Sequence, residues 1–236
     1  MPRLTFLRQP RWVLFSLAVV VAVAVMIGLG FWQLGRLHDR RALNAKITAR
    51  STAAAVPVES IVTMASTDAQ LDLVRYDAVS LTGVFDDART HVIASRTQAE
   101  GPGGWVVTPL RVGAHDVFVL RGFEKLSPDG SLPARQAPAG AVHVMGYVMQ
   151  ISHYDPIAKK DFTDLRTANV DSLPAVVQVA TIEPADDPSL EVVPLPPLDE
   201  GPYLGYAVQW FLFASVAVAG WFLIVRRQVQ REAAGA

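Results

Sequence analysis

Residues 12–34, from Trp12 to Leu34, read WVLFSLAVVVAVAVMIGLGFWQL without one ionisable side chain. At a rise of about 1.5 Å per residue, a helix of that length reaches roughly 34 Å, enough to cross a bilayer core of about 30 Å. A second run, YLGYAVQWFLFASVAVAGWFLIV from Tyr203 to Val225, is equally long and equally uncharged. Both are expected to be transmembrane helices, because a core helix of a soluble protein rarely sustains such a run. A cleaved signal peptide fits the first run badly: its apolar region is too long, and the nearest small-residue pattern, Ala53 to Ala55, lies a polar helix-length beyond it. Arg8, Arg11 and Trp12 before the first run, and Trp221, Phe222, Arg226 and Arg227 at the end of the second, are suited to the bilayer interfaces.

The remaining composition follows from these two runs. The chain has 236 residues, 51% hydrophobic and 18% charged, with a formal net charge of −1 and no cysteine. Without cysteine there is no disulfide framework, no thiolate zinc site and no cysteine-ligated copper or iron–sulfur centre. Residues 36–202 hold 15 basic and 21 acidic side chains, whereas the ends are basic. An acidic middle domain lacks the basic face that nucleic acid requires, so no nucleic-acid partner is expected. Asp199 and Glu200 precede the second run, and Arg226, Arg227 and Arg231 follow it, which puts the C-terminus on the cytoplasmic side. The expected organisation is a cytoplasmic N-terminus (1–11), transmembrane helix 1 (12–34), an extracytoplasmic domain (35–202), transmembrane helix 2 (203–225) and a cytoplasmic basic tail (226–236). That is a multi-pass protein of the bacterial cytoplasmic membrane, and the 17 arginines against 4 lysines suggest a high-GC bacterial source.

After the first run, GRLHDRRALNAKITAR places Leu37, Leu43 and Ile47 at helical spacing among charges, so the helix is expected to continue out of the membrane. Its cluster of Arg36, Arg40, Arg41, Lys46 and Arg50 is either a solvated face touching lipid phosphates or a docking site for an anionic group or acidic partner. From Leu73 the pattern turns to strands: LVRYDAVSLTGVF, THVIASRT, GWVVTPLRV after an expected turn at Gly101 to Gly104, DVFVLRGFE and AVHVMGYVMQI. Weaker strands are expected at AVVQVA and LEVV. Prolines 184, 188, 194, 196, 197 and 202 make the approach to the second run extended. The fold class is a membrane-anchored α+β chain: two transmembrane helices flank a mostly antiparallel β domain curled into a barrel or sandwich.

Catalytic signatures are missing. There is no nucleophile elbow, phosphate loop, dinucleotide fingerprint or helical zinc pair. His38, His91, His115, His143 and His153 are scattered, and only His143 and His153 could meet through folding. Asp161 and Asp164 beside Lys159 and Lys160 read as a polar loop. No acid–base pair emerges, so the chain is not expected to be an enzyme and no metal site is assigned.

The unusual chemistry lies at the membrane boundary. Trp32, Gln33 and Arg36 close the first helix; Tyr203, Tyr206 and Trp210, at i, i+3 and i+7, share a face at the start of the second. Gln209 lies about 9 Å below Tyr203 by helical rise, a depth at which an amide needs a partner in another helix.

These boundary segments, G-x-W-Q-x-x-R over Gly30 to Arg36 and L-x-Y-A-x-Q-W-F-x-F-A over Leu204 to Ala214, resemble the Surfeit locus protein 1 family of cytochrome c oxidase assembly factors. Between them Gly83-Val84-Phe85, Gly104 to Leu110 (GWVVTPL) and Val119 to Phe123 (VLRGF) are similar to further family segments, in order. The resemblance implies a non-enzymatic membrane protein that aids maturation of the oxidase's catalytic subunit by handling haem a. It implies as partners that subunit or the haem a synthesis machinery, beside the lipid bilayer. The candidate cofactor residues are then Trp32, Arg36, Tyr203, Tyr206 and Trp210, with Gln33 and Gln209 packing against a partner or another helix. The family pattern has a histidine, the residue proposed to ligate haem, where this sequence has Tyr203. Three readings follow: phenolate ligation by Tyr203, haem held by aromatic packing with Arg36 and its neighbours facing the propionates, or a scaffold that holds no haem. The alternative is a two-helix envelope protein whose external β domain binds or senses an extracytoplasmic ligand.

Overall fold

The computed structural model describes residues 4–62, 70, 73–99, 101–133, 135–149 and 172–234, so His153 and the expected polar loop of Lys159 to Asp164 lie outside the described residues. A short 3-10 turn, Leu4–Arg8, leads into helix α1, Pro10–Ser51. Pro10 opens α1 where its missing N–H costs nothing. The expected extension beyond Leu34 is real, since one helix runs unbroken into the charged segment. A two-residue strand β1 (Val56–Pro57) and a helical turn α2 (Val58–Val62) follow. Strands β2 (Ala78–Phe85), β3 (His91–Gln98), β4 (Gly101–Val112), β5 (His115–Lys125), β6 (Ala141–Met149) and β7 (Ser172–Glu183) make the sheet, and helix α3 is Tyr203–Ala234.

Two units result: Met1–Ala45 with Leu198–Ala236, and Lys46–Pro197. The first holds the two helices long and apolar enough to cross a membrane, and only 6% of the most apolar window of each is buried. A core helix would hide that surface in protein; here Leu14, Val20, Phe31, Val216 and Phe222 are all more than 60% exposed, as a lipid-facing helix requires.

In the second unit the strands run in the order β1-β2-β6-β7-β5-β4-β3, and β2 also pairs with β4. That extra pairing, Val84 to Arg111 and Phe85 to Leu110, closes β2, β6, β7, β5 and β4 into a barrel. Neighbours are antiparallel except β1 with β2 and β5 with β7. Side-chain alternation separates two cores. Val117 and Val119 of β5 join Val79, Leu81, Val144 and Val177 inside the barrel, while Phe118 and Leu120 join Ile93, Val107 and Val176 on the other face. The proline-rich segment after β7 lies over that second face: Val193 packs against it, and the Val193 carbonyl accepts from Gln178 Nε2 at 2.5 Å.

Three expectations are corrected. Gly101 to Gly104 is the paired start of β4, with Gly101 opposite Gln98 and Gly103 opposite Arg96, so the turn precedes it. LEVV forms a single bridge, Glu191 to Phe123, because prolines remove the donors a longer ladder would need. Leu73 and Val74 are helical, and the strand starts only at Ala78, after Tyr76 takes a left-handed backbone with φ 72°. AVVQVA, expected as a weaker strand, is one: it forms the centre of β7, a twelve-residue strand between β6 and β5.

The three segments singled out in the middle of the sequence meet around Arg121, which is 4% exposed. Its Nε donates to Asp186 Oδ2 at 2.8 Å and its Nη2 to Asp186 Oδ1 at 2.5 Å. The guanidinium also donates to the carbonyls of Arg135 and Gln136, both at 2.7 Å, and to Thr108 Oγ1 at 3.3 Å. The Phe85 ring lies 5.7 Å from its Cζ. The buried charge is therefore paired and hydrogen-bonded on every side, the condition under which such a group is tolerated. Gly83 serves the seam beside it, because a Cβ there would collide with the Arg111 carbonyl of β4.

Asp186→Ala strands the guanidinium and is expected to cost about 3 to 5 kcal/mol, read as a fall in the thermal-unfolding midpoint in detergent; an unchanged midpoint contradicts this role. Gly83→Ala is expected to cost about 2 kcal/mol by forcing the seam apart. Gly113→Asn, at a turn with φ +57° and open space around it, should leave the midpoint close to wild type.

Candidate functional site

The boundary motifs sit on the α1–α3 pair. Its contacts run in opposite directions along the two helices: Ser16 with Trp221, Phe31 with Phe211, Arg36 with Tyr203 and Arg41 with Glu200. The pair is therefore antiparallel. Small side chains set its spacing. Ala207 and Ala214 of α3 are 1% and 5% exposed, and a Cβ on Gly30 of α1 would come within 2.6 Å of the Phe211 ring. Close approach through small residues is how helices associate where water supplies no driving force. At the end of the pair nearer the two termini the Trp221 indole donates to Ser16 Oγ at 3.0 Å. An apolar groove of about 400 Å³ lies beside the pair, lined by Val20, Val23, Val218 and Phe222 among others.

The basic cluster has an acidic partner in its own chain. Arg41 forms a two-pronged ion pair with Glu200, at 2.7 and 2.8 Å. Arg40 donates to the Asp199 carbonyl at 3.0 Å and faces its carboxylate at 3.6 Å. Asn44 Nδ2 donates to the carbonyls of Leu198 and Asp199 at 3.0 and 2.9 Å. Hydrogen bonding to Arg41, with its charge, holds the Glu200 carboxyl below the usual range, and the same contact raises Arg41 above its ordinary value. The two alternatives read from sequence, lipid phosphate or an external acidic partner, omit this third. A signal for it existed: opposite charges follow one apolar run and precede the other at similar distances, which in an antiparallel pair must meet.

The predicted site residues do not all converge. Arg36 lies over the Tyr203 ring at 5.9 Å, within cation–π range. Trp210 is half-buried and packs edge-on against Phe213 at 6.1 Å. Tyr206 is 49% and Trp32 59% exposed. Helical geometry puts Trp32 about 160° around α1 from Gly30, which faces α3; among the described residues it makes no ring contact with Tyr203, Tyr206 or Trp210. Gln33 is half-buried and Gln209 exposed, and neither amide is hydrogen-bonded among the described residues. Of the five cofactor candidates Arg36 and Tyr203 meet across the pair, while Trp32 stands on another side of α1. Among the described residues no group of three His, Asp or Glu side chains is placed to hold a metal ion.

Comparison with known proteins places this arrangement in context. The model of the SURF1 family matches residues 20–215, from within α1 to within α3. SURF1-like proteins of Mycobacterium bovis and Mycobacterium tuberculosis are each 28% identical over 237 residues, covering 93% of this chain and 85% of their own length. A SURF1-like protein of Rickettsia felis is 28% identical over 111 residues, 46% of this chain and 45% of its own.

The Arg41–Glu200 pair carries a pH dependence of fixed sign. Because folding lowers the Glu200 pKa, its contribution is full above the ordinary glutamate value of about 4.3 and fades as pH falls through the lowered one. Both side chains are about half exposed, so Glu200→Gln, or high salt, should speed amide exchange at residues 198–203 only a few-fold. The double exchange Arg41→Glu with Glu200→Arg should restore protection. Exchange indifferent to all three would refute the clamp.

Proposed function

The chain belongs to the SURF1 family, and from that premise we propose that it is a non-enzymatic assembly factor for cytochrome c oxidase. It aids maturation of the catalytic subunit in the bacterial cytoplasmic membrane, with both termini cytoplasmic and the barrel outside. One observation supports this over an isolated ligand sensor: the family's boundary motifs lie on the membrane helix pair, with Trp32 and Tyr206 turned outward from it. Side chains needed only for packing within the chain would face the partner helix. The charge asymmetry around α3, acidic before and basic after, supports the orientation.

Within this reading the scaffold version is favoured. Tyr203 stands where the family pattern has histidine, and its ring is occupied by Arg36. A version in which haem a is presented draws on one specific observation: Arg36, unlike Arg40 and Arg41, has an aromatic ring rather than a carboxylate against it, which leaves its charge for a propionate. Haem presented there would need further walls from a partner.

Removing the gene from its host should lower the absorbance and activity of the assembled oxidase several-fold, with full restoration by the wild-type gene. Unchanged oxidase spectra and activity in the deletion strain would overturn the reading. Titrating the purified protein with haem a separates the two versions: the scaffold gives no shifted Soret band, and presentation gives one that weakens in Arg36→Gln.

A further inference from the structure

On the α1–α3 pair Trp221 donates to Ser16, and the Ser215 hydroxyl donates to the Phe211 carbonyl one turn earlier, whereas the Gln33 and Gln209 amides are not hydrogen-bonded among the described residues. Of these two amides Gln33 is half-buried, and Gln209 is the one exposed on the outward face. Helical geometry puts it about 150° around α3 from the stripe of Ala207 and Ala214 that meets α1, and about 9 Å past Tyr203 along the axis. Its neighbours on that side, Val208, Leu212 and Val216, are each at least 58% exposed and purely apolar. Among the described residues nothing accepts from or donates to its amide. Hydrocarbon can cover the three aliphatic side chains, but it cannot satisfy a carboxamide with two donors and an acceptor. Gly205, one turn above on the same side, has open space where a Cβ would stand, so another backbone can approach closely beside the amide.

We propose that the Gln209 face of α3 docks a transmembrane helix of a partner protein, one that offers a side chain able both to donate and to accept a hydrogen bond, such as an amide or hydroxyl. The proposal rests on the assembly reading, which supplies a subunit of the oxidase as the source of that helix. The amide fixes the register of docking, and the glycine sets the distance. A second copy of the chain would be a different occupant, with the two Gln209 amides paired about a two-fold axis.

The test is co-purification of the oxidase catalytic subunit with the tagged full chain from mildly solubilised membranes, comparing wild type, Gln209→Leu, Gln209→Asn and Gly205→Leu. Leu at 209 keeps the volume and helix but removes the amide, and is expected to lower capture about tenfold. Asn should retain most capture, and Gly205→Leu should reduce it by obstructing approach. Equal thermal midpoints of wild type and Gln209→Leu guard against misfolding, and if Leu unfolds the chain, Asn against Gly205→Leu decides alone. Full capture by Gln209→Leu overturns the proposal in favour of lipid or water at the amide. So does a wild-type dimer in detergent that Gln209→Leu converts to monomer, which makes the occupant a second copy. If wild type itself captures no catalytic subunit, the assembly reading fails instead, and the proposal falls with it.

Discussion

The contact of Gly30 with Phe211, bracketed by the Trp221 to Ser16 hydrogen bond and the Arg41 to Glu200 ion pair, fixes one antiparallel register between α1 and α3. That register determines which residues face inward. It buries Ala207 and Ala214, half-buries Tyr203 and Trp210, and leaves Trp32, Tyr206 and Gln209 on outward sides. It also brings Leu34 and Tyr203 to one end of the pair, so residues 35–202 leave and return on the same side of any membrane the helices cross. The polar clamp just past that end supplies direction, since Arg40, Arg41 and Asn44 hold the chain as it enters α3. The apolar stretch alone would permit rotation or sliding; small residues and one indole hydrogen bond do not.

In the β unit a comparable role falls to Arg121. A guanidinium buried to 4% exposure survives only with its donors engaged, and its partners come from distant parts of the chain: Asp186 after β7, Thr108 on β4, and the carbonyls of 135 and 136 before β6. The barrel must close for these to meet. Gly83 permits the closure and Phe85 lies against the guanidinium. Segments that look like separate weak motifs in sequence are thus parts of one packing solution, and their chemistry is structural.

Physical reasons explain what could be read in advance. The membrane helices were legible because twenty-odd uncharged apolar residues have few other uses, and β6 because Val142, Val144 and Val148 alternate with exposed neighbours. The pairing of Gly101 to Gly104 was not, since glycine and proline ordinarily break strands, and only the facing carbonyls of Glu124 on β5 and Ile93 on β3 reveal why a side chain is crowded out at Gly103 and Gly104. The place of β7 beside β5 was hidden for a similar reason: a parallel neighbour has no turn to announce it. At the boundary, the sequence identified Arg36, Tyr203 and Trp210 as near each other along their helices, but the face each occupies across the pair depends on which stripe carries the small residues. Trp32 shows the consequence, since its closeness to Gln33 in sequence does not place it on the same side of α1.

The absence of cysteine makes the register directly measurable, because each introduced cysteine is unique. Spin labels at single cysteines along residues 203–216 of the full chain in lipid bilayers report collision with oxygen dissolved in the hydrocarbon. The helix pairing described here predicts a period of about 3.6 residues, with minima at Ala207→Cys and Ala214→Cys and high accessibility at Val208→Cys and Leu212→Cys. A flat profile, minima centred on 208 and 212, or preferential collision with a water-soluble relaxant throughout the segment would contradict it.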